Sequence, residues 1–292
     1  MRRRPLYAEL SCGGRAVRLE GVGRADGLHV TSDGIEGWWD TPDPKWTLTE
    51  RQSADGAHDV AEGMALYSVR TVTVHAAALG ADREATKALL DSVLSMAHET
   101  VRLRVVDGSE DTWCEGLLSA SVGTEWHERA MTMDLTVVCP DPRRQATAAE
   151  SAVMLPASAS LTAGLSYGEG GGGLAYPLDY GRGALDARNV CCVTNHGTST
   201  AWPTLRVSRG MSDVEVRATC AGASSTLALA GTCTTEVTID CRARTAETAQ
   251  TDVTRRLTGA GALAVPPGQT MRLTLATPGN GSVTVELRDT YI

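Results

Sequence analysis

The sequence predicts a mainly β protein in two domains: an α+β domain with one helix packed on an antiparallel sheet, then a C-terminal β-sandwich. Three observations carry this. Apolar and polar residues alternate with period two over much of the chain. Only one stretch, 82–99, carries an apolar stripe at i, i+4, i+8. From Asn189 onward, short alternating segments recur between turn signals. At 292 residues the chain exceeds one average domain of roughly 100–200 residues, so two are expected. Either half is long enough to bury its own core without disulfides.

The elements follow in order. Residues 1–60 are polar and irregular, with short candidate strands at 7–10 and 16–19. Gly34-Ile35-Glu36-Gly37-Trp38-Trp39-Asp40 leads into Thr41-Pro42-Asp43-Pro44, whose prolines forbid regular helix. Trp38, Trp39 and Trp46 sit in this Gly/Pro-rich region. Large aromatics there either pack on their own domain or meet a partner chain. From Leu66 the period is two: Val72 and Val74 alternate with Thr71, Thr73 and His75. Gly80 ends that strand. Asp82 is an N-cap, with Glu84 in the first turn of a helix. Ala85, Leu89, Val93 and Met96, with Leu90, Leu94 and Ala97, form its apolar stripe. Val101, Leu103 and Val105 then alternate with Arg102 and Arg104, and Asp107-Gly108 is a hairpin dipeptide. A strand follows near 112–122. In the next, Met131, Met133, Leu135 and Val137 alternate with Thr132, Asp134 and Thr136.

Cys139-Pro140-Asp141-Pro142 ends the first domain, since two prolines cannot continue a central strand. The domains are expected at 1–145 and 189–292. A crossing segment at 146–188 contains the glycine loop 168–173. No Gly-Lys-Ser/Thr follows that loop, which argues against a phosphate cradle. The second domain's candidate strands are 190–195, 204–208, 214–219, 225–230, 236–241, 272–276 and 282–289. Across Asn280-Gly281, Met271, Leu273 and Leu275 are expected to pair with Val283, Val285 and Leu287 as a closing hairpin.

Composition narrows the function. A net charge of −8 disfavours a nucleic-acid scaffold, which needs a basic footprint. Lysine occurs only at Lys45 and Lys87, and phenylalanine is absent. Met1-Arg2-Arg3-Arg4 resembles the start of a signal peptide, but no apolar core follows within 5–18. No stretch approaches the ~18 apolar residues of a membrane span. Synthesis in the cytosol and no membrane insertion are therefore expected. The eight cysteines include no C-x-x-C pair. Buried free thiols are one reading, and a Cys220–Cys233 or Cys233–Cys241 bridge is the other.

Catalysis needs convergent groups, and none is evident. The six histidines form no H-x-x-x-H or H-E-x-x-H pair, and no G-x-S-x-G elbow exists. Glu125-Trp126-His127-Glu128 places carboxylates beside an imidazole, but neighbours on a strand face opposite sides. No catalytic residue, cofactor or metal ligand is assigned.

Several runs, in this order, are shared with one family: Gly34-Ile35-Glu36-Gly37-Trp38; the strand at 69–79 joined to the helix 82–99; Cys139-Pro140-Asp141-Pro142-Arg143; Asn195-x-Gly197 with Trp202-Pro203-Thr204-Leu205-Arg206-Val207; Val237-Thr238-Ile239-Asp240; Pro267-Gly268-Gln269-Thr270-Met271-Arg272-Leu273; and Arg288-Asp289-x-Tyr291. In them the chain resembles the distal tail protein (Dit) family of long-tailed, non-contractile phages (siphoviruses), in its actinobacterial-phage form. The stretch 146–173 aligns with nothing in that family. The resemblance implies a tail-tube-like first domain whose copies close a hexameric ring, and a galectin-like or jelly-roll sandwich outside it. It implies a structural virion protein, not an enzyme, at the distal end of the tail. Its partners would be its own copies, the tail tube protein, a tail-tip hub protein and receptor-binding proteins, with DNA passing through the lumen. Assembly-interface candidates are Trp38, Trp39, Trp46, Met131 and Met133. Ring closure would cover an exposed edge at 131–138. Thr132, Asp134 and Thr136 are candidate lumen lining.

Two other classes remain. A carbohydrate-binding sandwich contacting host glycans needs clustered exposed aromatics, and Trp202 is the only tryptophan of the second half. A tail-associated hydrolase needs paired carboxylates or a Ser/His/Asp constellation.

Overall fold

The structure, a computed structural model, describes residues 6–21, 25–45, 49–58, 66–125, 127–156 and 188–292. Trp46, Trp126 and the glycine loop 168–173 lie outside the described residues. The chain divides into two compact units, Met1–Thr147 with Tyr291–Ile292, and Ala148–Thr290.

The first unit contains β1 (Tyr7–Cys12), β2 (Arg15–Glu20), β3 (Gly27–Glu36), β4 (Arg70–Leu79), α1 (Arg83–Leu94), β5 (Thr100–Asp107), β6 (Glu110–Val122), β7 (Ala130–Cys139) and β8 (Arg144–Ala146). The strands run in the order β6-β5-β1-β2-β3-β4-β7, and β7 pairs back onto β6, so seven strands close a barrel. Closure depends on the length of β6. Its 13 residues pair with β5 along Glu110–Leu117, while Leu117–Val122 pairs with β7. β7 is thus bonded on both sides, to β4 and β6. The expectation of an exposed edge at 131–138 is corrected: the chain satisfies that strand itself.

Period-two alternation turns one face of each strand inward. Val72, Val74, Ala76 and Ala78 of β4 meet Leu103, Val105, Leu118, Met133, Leu135 and Val137 in one core. Leu90 and Val93 of α1 enter the same core with Met96 just beyond it. The Asp82 carboxylate caps α1, accepting from the Ala85 N–H at 2.8 Å. Gly80 lets the helix approach, since a Cβ there would lie 2.5 Å from the Thr86 nitrogen. The helix stops at Leu94, short of the expected 99. The Met96 and Ala97 N–H groups bond only three residues back, and His98 turns the chain at φ 67°. The His98 N–H then joins Leu118 of β6, so tertiary pairing ends the helix early.

Strand β3 falls in the stretch that reads as irregular in the sequence. Its register against β4 shifts between Val30 and Ile35. A bulge there flips the parity of the buried residues, from Leu28 and Val30 to Ile35, and hides the alternation.

The second unit contains β9 (Glu150–Met154), β10 (Val190–Thr194), β11 (Thr204–Val207), β12 (Ser212–Cys220), β13 (Ala223–Thr232), β14 (Val237–Asp240), β15 (Thr245–Glu247), β16 (Leu257–Ala260), β17 (Thr270–Leu275) and β18 (Val283–Leu287). They form two five-stranded sheets, β10-β17-β12-β13-β16 and β15-β14-β11-β18-β9. One apolar core contains the inward residues of both. β12 and β13 join through Ala221 and Gly222, both at positive φ (49° and 80°), as a two-residue hairpin requires.

Two expectations are corrected here. β17 and β18 are not a hairpin: β17 pairs with β10 and β12, and β18 with β11 and β9. The same alternation suits two strands in facing sheets, each turning its odd residues inward. Gly279 and Gly281 both lie at φ 115°, away from the roughly +57° of the left-handed region that a tight Asn-Gly turn uses. Gly281 instead makes room for Met211, whose Cγ would lie 2.5 Å from a Cβ there. The second correction concerns 146–188. Glu150–Met154, placed in the crossing segment, is a sheet strand paired with β18.

Candidate functional surface

The barrel's outward face over β4, β7 and β6 has a chemistry of its own. The registers set it in rows. Thr73, Thr136 and Ser119 form one, His75, Asp134 and Ser121 the next, and Thr71, Val138 and Leu117 a third. Thr73 and Thr136 hydroxyls lie 3.4 Å apart, and the Ser119 hydroxyl donates to the Thr136 carbonyl at 3.4 Å. The His75 Nδ1 is 2.7 Å from an Asp134 carboxylate oxygen, and its Nε2 is 3.9 Å from Glu36. An imidazole therefore sits between two carboxylates. None of these outward positions carries Lys or Arg. The Leu117–Val138 row adds an apolar strip, with Leu117 52% and Val138 37% exposed.

The face over β1, β2, β5 and β6 is different. Arg102 bonds Glu115 at 2.7 Å and stacks over Trp113 at 4.0 Å. Arg104 forks onto both oxygens of Asp111 at 2.8 and 2.7 Å, and this hydrogen bonding raises its pKa further. Arg18 pairs with Glu20 at 2.7 Å. The exposed Arg102–Glu115 and Arg18–Glu20 pairs contribute little stability each, about 0–1 kcal/mol, and with the part-buried Arg104–Asp111 fork they leave that face charge-paired. A cleft of about 500 Å³ opens beside it, lined by Ser11, Gly13, Arg15, Arg102 and Glu115 among others. Its cations are engaged, Arg15 with the Ser95 carbonyl and hydroxyl and Arg102 with Glu115.

The residues singled out in the sequence separate clearly. Trp38 is 1% exposed and Met133 2%. Both belong to the barrel core, so neither presents a surface to a partner. This corrects their placement as interface residues: Met133 shares the inward parity of Leu135 and Val137, and Trp38, in the bend after β3, packs into the same core. Trp39 is 46% exposed and keeps surface to offer, whereas Met131 is half-buried against the barrel core. Trp46 lies outside the described residues. Thr132, Asp134 and Thr136 share the outward face of β7.

Sequence reasoning missed a buried polar knot at one end of the barrel. Arg70 is 2% exposed and donates to the carbonyls of Pro142, Gly37, Trp38 and Asp40 at 2.7, 2.7, 3.1 and 2.8 Å. The signal was present: Arg70 shares the parity of Val72 and Val74, which puts it on the buried face. Arg144 is also buried and lies over the Trp38 ring at 5.5 Å. Among the described residues no group of three or more His, Cys, Asp or Glu could hold a metal ion, and no helix is long and apolar enough to cross a membrane.

No family model and no curated protein matches the chain. Solved structures do. The chain superposes on the Dit (gp 19.1) protein of phage SPP1, described as a paradigm of the hub adsorption apparatus in phages infecting Gram-positive hosts. The TM-score is 0.57 at 12% identity, over 89% of this chain and 93% of that one. The fold is Dit-like. A chain of the phage P2 baseplate, in its activated conformation with calcium, gives a TM-score of 0.51 at 10% identity over 98% of each chain. The Dit-like architecture thus extends over both units, the one-helix barrel and the sandwich.

Proposed function

We propose that this chain is a structural hub at the distal end of a phage tail, not an enzyme. Copies assemble into a hexameric ring that joins the tail tube to the tail tip and carries host-recognition proteins. The first unit is the ring-forming domain and the second a peripheral sandwich. The outward face of β4, β7 and β6, with Thr132, Asp134 and Thr136 at its centre, lines the channel through which DNA passes. One observation carries the reading: on a Dit-like fold, this barrel face bears hydroxyls and carboxylates and no lysine or arginine. A lining without lysine or arginine gives DNA phosphates no fixed positive charge to bind, so the duplex slides. Because β7 is paired within the chain, copies meet through side chains, the exposed Trp39 among them.

Native mass spectrometry tests the ring. A species of six copies is expected from the purified chain alone or on adding the tail tube protein; a monomer in both conditions refutes it. Substituting Asp134→Lys and Thr136→Lys together tests the lining. The double variant should retain duplex DNA with a steep salt dependence, and the wild-type ring should not. Equal retention by both would overturn the channel assignment.

A further inference from the structure

We propose that Cys114 and Cys139 are a redox-active dithiol that closes to a disulfide inside the barrel when the chain meets a peroxide. This goes beyond the tail-hub reading and does not depend on it.

The topology brings the pair together. Cys139 ends β7, one step beyond the Leu117↔Val138 pair, and so lies opposite Gly116. Gly116 has no side chain to separate the strands, and a Cβ there would lie 2.9 Å from the Cys139 Cα. The Cys139 side chain passes over that gap and meets Cys114, two residues along on the same face. Their sulfurs are 3.1 Å apart, and both residues are buried. A disulfide needs about 2.0 Å, a closure that small side-chain rotations supply. All eight cysteines are free thiols in the structure.

The surroundings suit reaction as well as contact. Arg70 is the register partner of Cys139 on β4, and every acceptor of its guanidinium is a backbone carbonyl. Its Nη2, and the Nε of buried Arg144, have no hydrogen-bond partner. Two buried cations therefore leave positive potential at the sulfur pair. The hydrogen bond shared with Cys114 and the charge of Arg70, its register partner, pull the Cys139 thiol down against its burial. Cys114 moves up, through that same hydrogen bond and as a buried group. Cys139 is thus the nucleophile, because the thiolate is the reactive form, and Cys114 is the resolving thiol.

The chemistry balances with hydrogen peroxide as oxidant. The Cys139 thiolate attacks one peroxide oxygen, the O–O bond breaks, and hydroxide leaves to become water, giving a sulfenic acid. The Cys114 sulfur then attacks the Cys139 sulfur. The S–S bond forms, the S–O bond breaks, and the departing hydroxide takes the Cys114 proton as a second water. Two thiols and one peroxide yield one disulfide and two waters.

The test uses the full-length chain. After treatment with hydrogen peroxide, alkylation and trypsin, Cys114 and Cys139 fall in separate peptides, 105–129 and 130–143, each with one cysteine. A linked species lighter by two hydrogens than the two together is expected. In Cys114→Ser the link disappears and Cys139 is trapped as a sulfenic acid by dimedone. Recovery of both peptides as separate alkylated species, under peroxide that has already consumed the exposed Cys192 thiol, would overturn the proposal. So would linkage of either peptide only to other cysteines. The pair would then be two thiols packed as small apolar residues.

Discussion

Replacing Arg70 by methionine keeps the aliphatic length of the side chain and removes its donors. Four carbonyls then lose a partner. Those of Pro142 and Trp38 make fully buried bonds, whereas those of Gly37 and Asp40 are part-buried, where water can take over. Each buried carbonyl left unsatisfied costs about 1–3 kcal/mol, so the two together cost roughly 4 kcal/mol. Relief of guanidinium burial, which lowers the Arg70 pKa together with repulsion from Arg144, offsets part of this. A net loss of about 3 kcal/mol is expected for the first unit. Urea unfolding followed by tryptophan fluorescence reads it, because five of the six tryptophans precede residue 147 and only Trp202 follows. With a slope of ~2 kcal/mol per molar, the midpoint of that transition should fall by about 1.5 M. A fall below ~0.5 M at unchanged slope would refute the reasoning. Arg70 would then be a tolerated buried charge, and not the tie between residues 37–40, Pro142 and β4.

Three further outcomes follow from the geometry. Burial pushes the Cys241 thiol up to about 12, so the folded state holds its proton through a range where the unfolded chain, near pH 8.5–9, releases it. Stability from this group is intact below that range and lost as pH rises toward the folded value. Denaturation midpoints of the second unit should fall between pH 9 and 11 by about 2 kcal/mol more in wild type than in Cys241→Ala. Gly197→Ala drives a Cβ to within 2.6 Å of the Thr290 nitrogen and should lower stability by roughly 2 kcal/mol, read as a drop in thermal midpoint. Asp82→Ala removes the cap on α1 and should cost about 1 kcal/mol by the same scan, with Asp82→Asn recovering most of it.

The sequence by itself determined the class of the fold and most of its elements. Alternation in 71–78, 101–105 and 131–137 marks strands because a strand has one buried face. The stripe from Leu90 to Met96 marks the helix, with Asp82 at its start, because capping and burial are local in sequence. The parity of Thr132, Asp134 and Thr136 places them opposite Leu135 and Val137. Tertiary structure alone decided which strands meet. Period two states that a strand has an inner face, not which neighbour it bonds. Met271–Leu275 and Val283–Leu287 therefore satisfy a hairpin or two facing sheets equally, and only the bonding to β10, β12, β11 and β9 chooses. Likewise 131–138 reads as an edge until β6 proves long enough to pair with it. The bulge in β3, the early stop of α1 at Leu94 and the meeting of Cys114 with Cys139 over Gly116 all depend on contacts between residues distant in the chain. No local pattern encodes them.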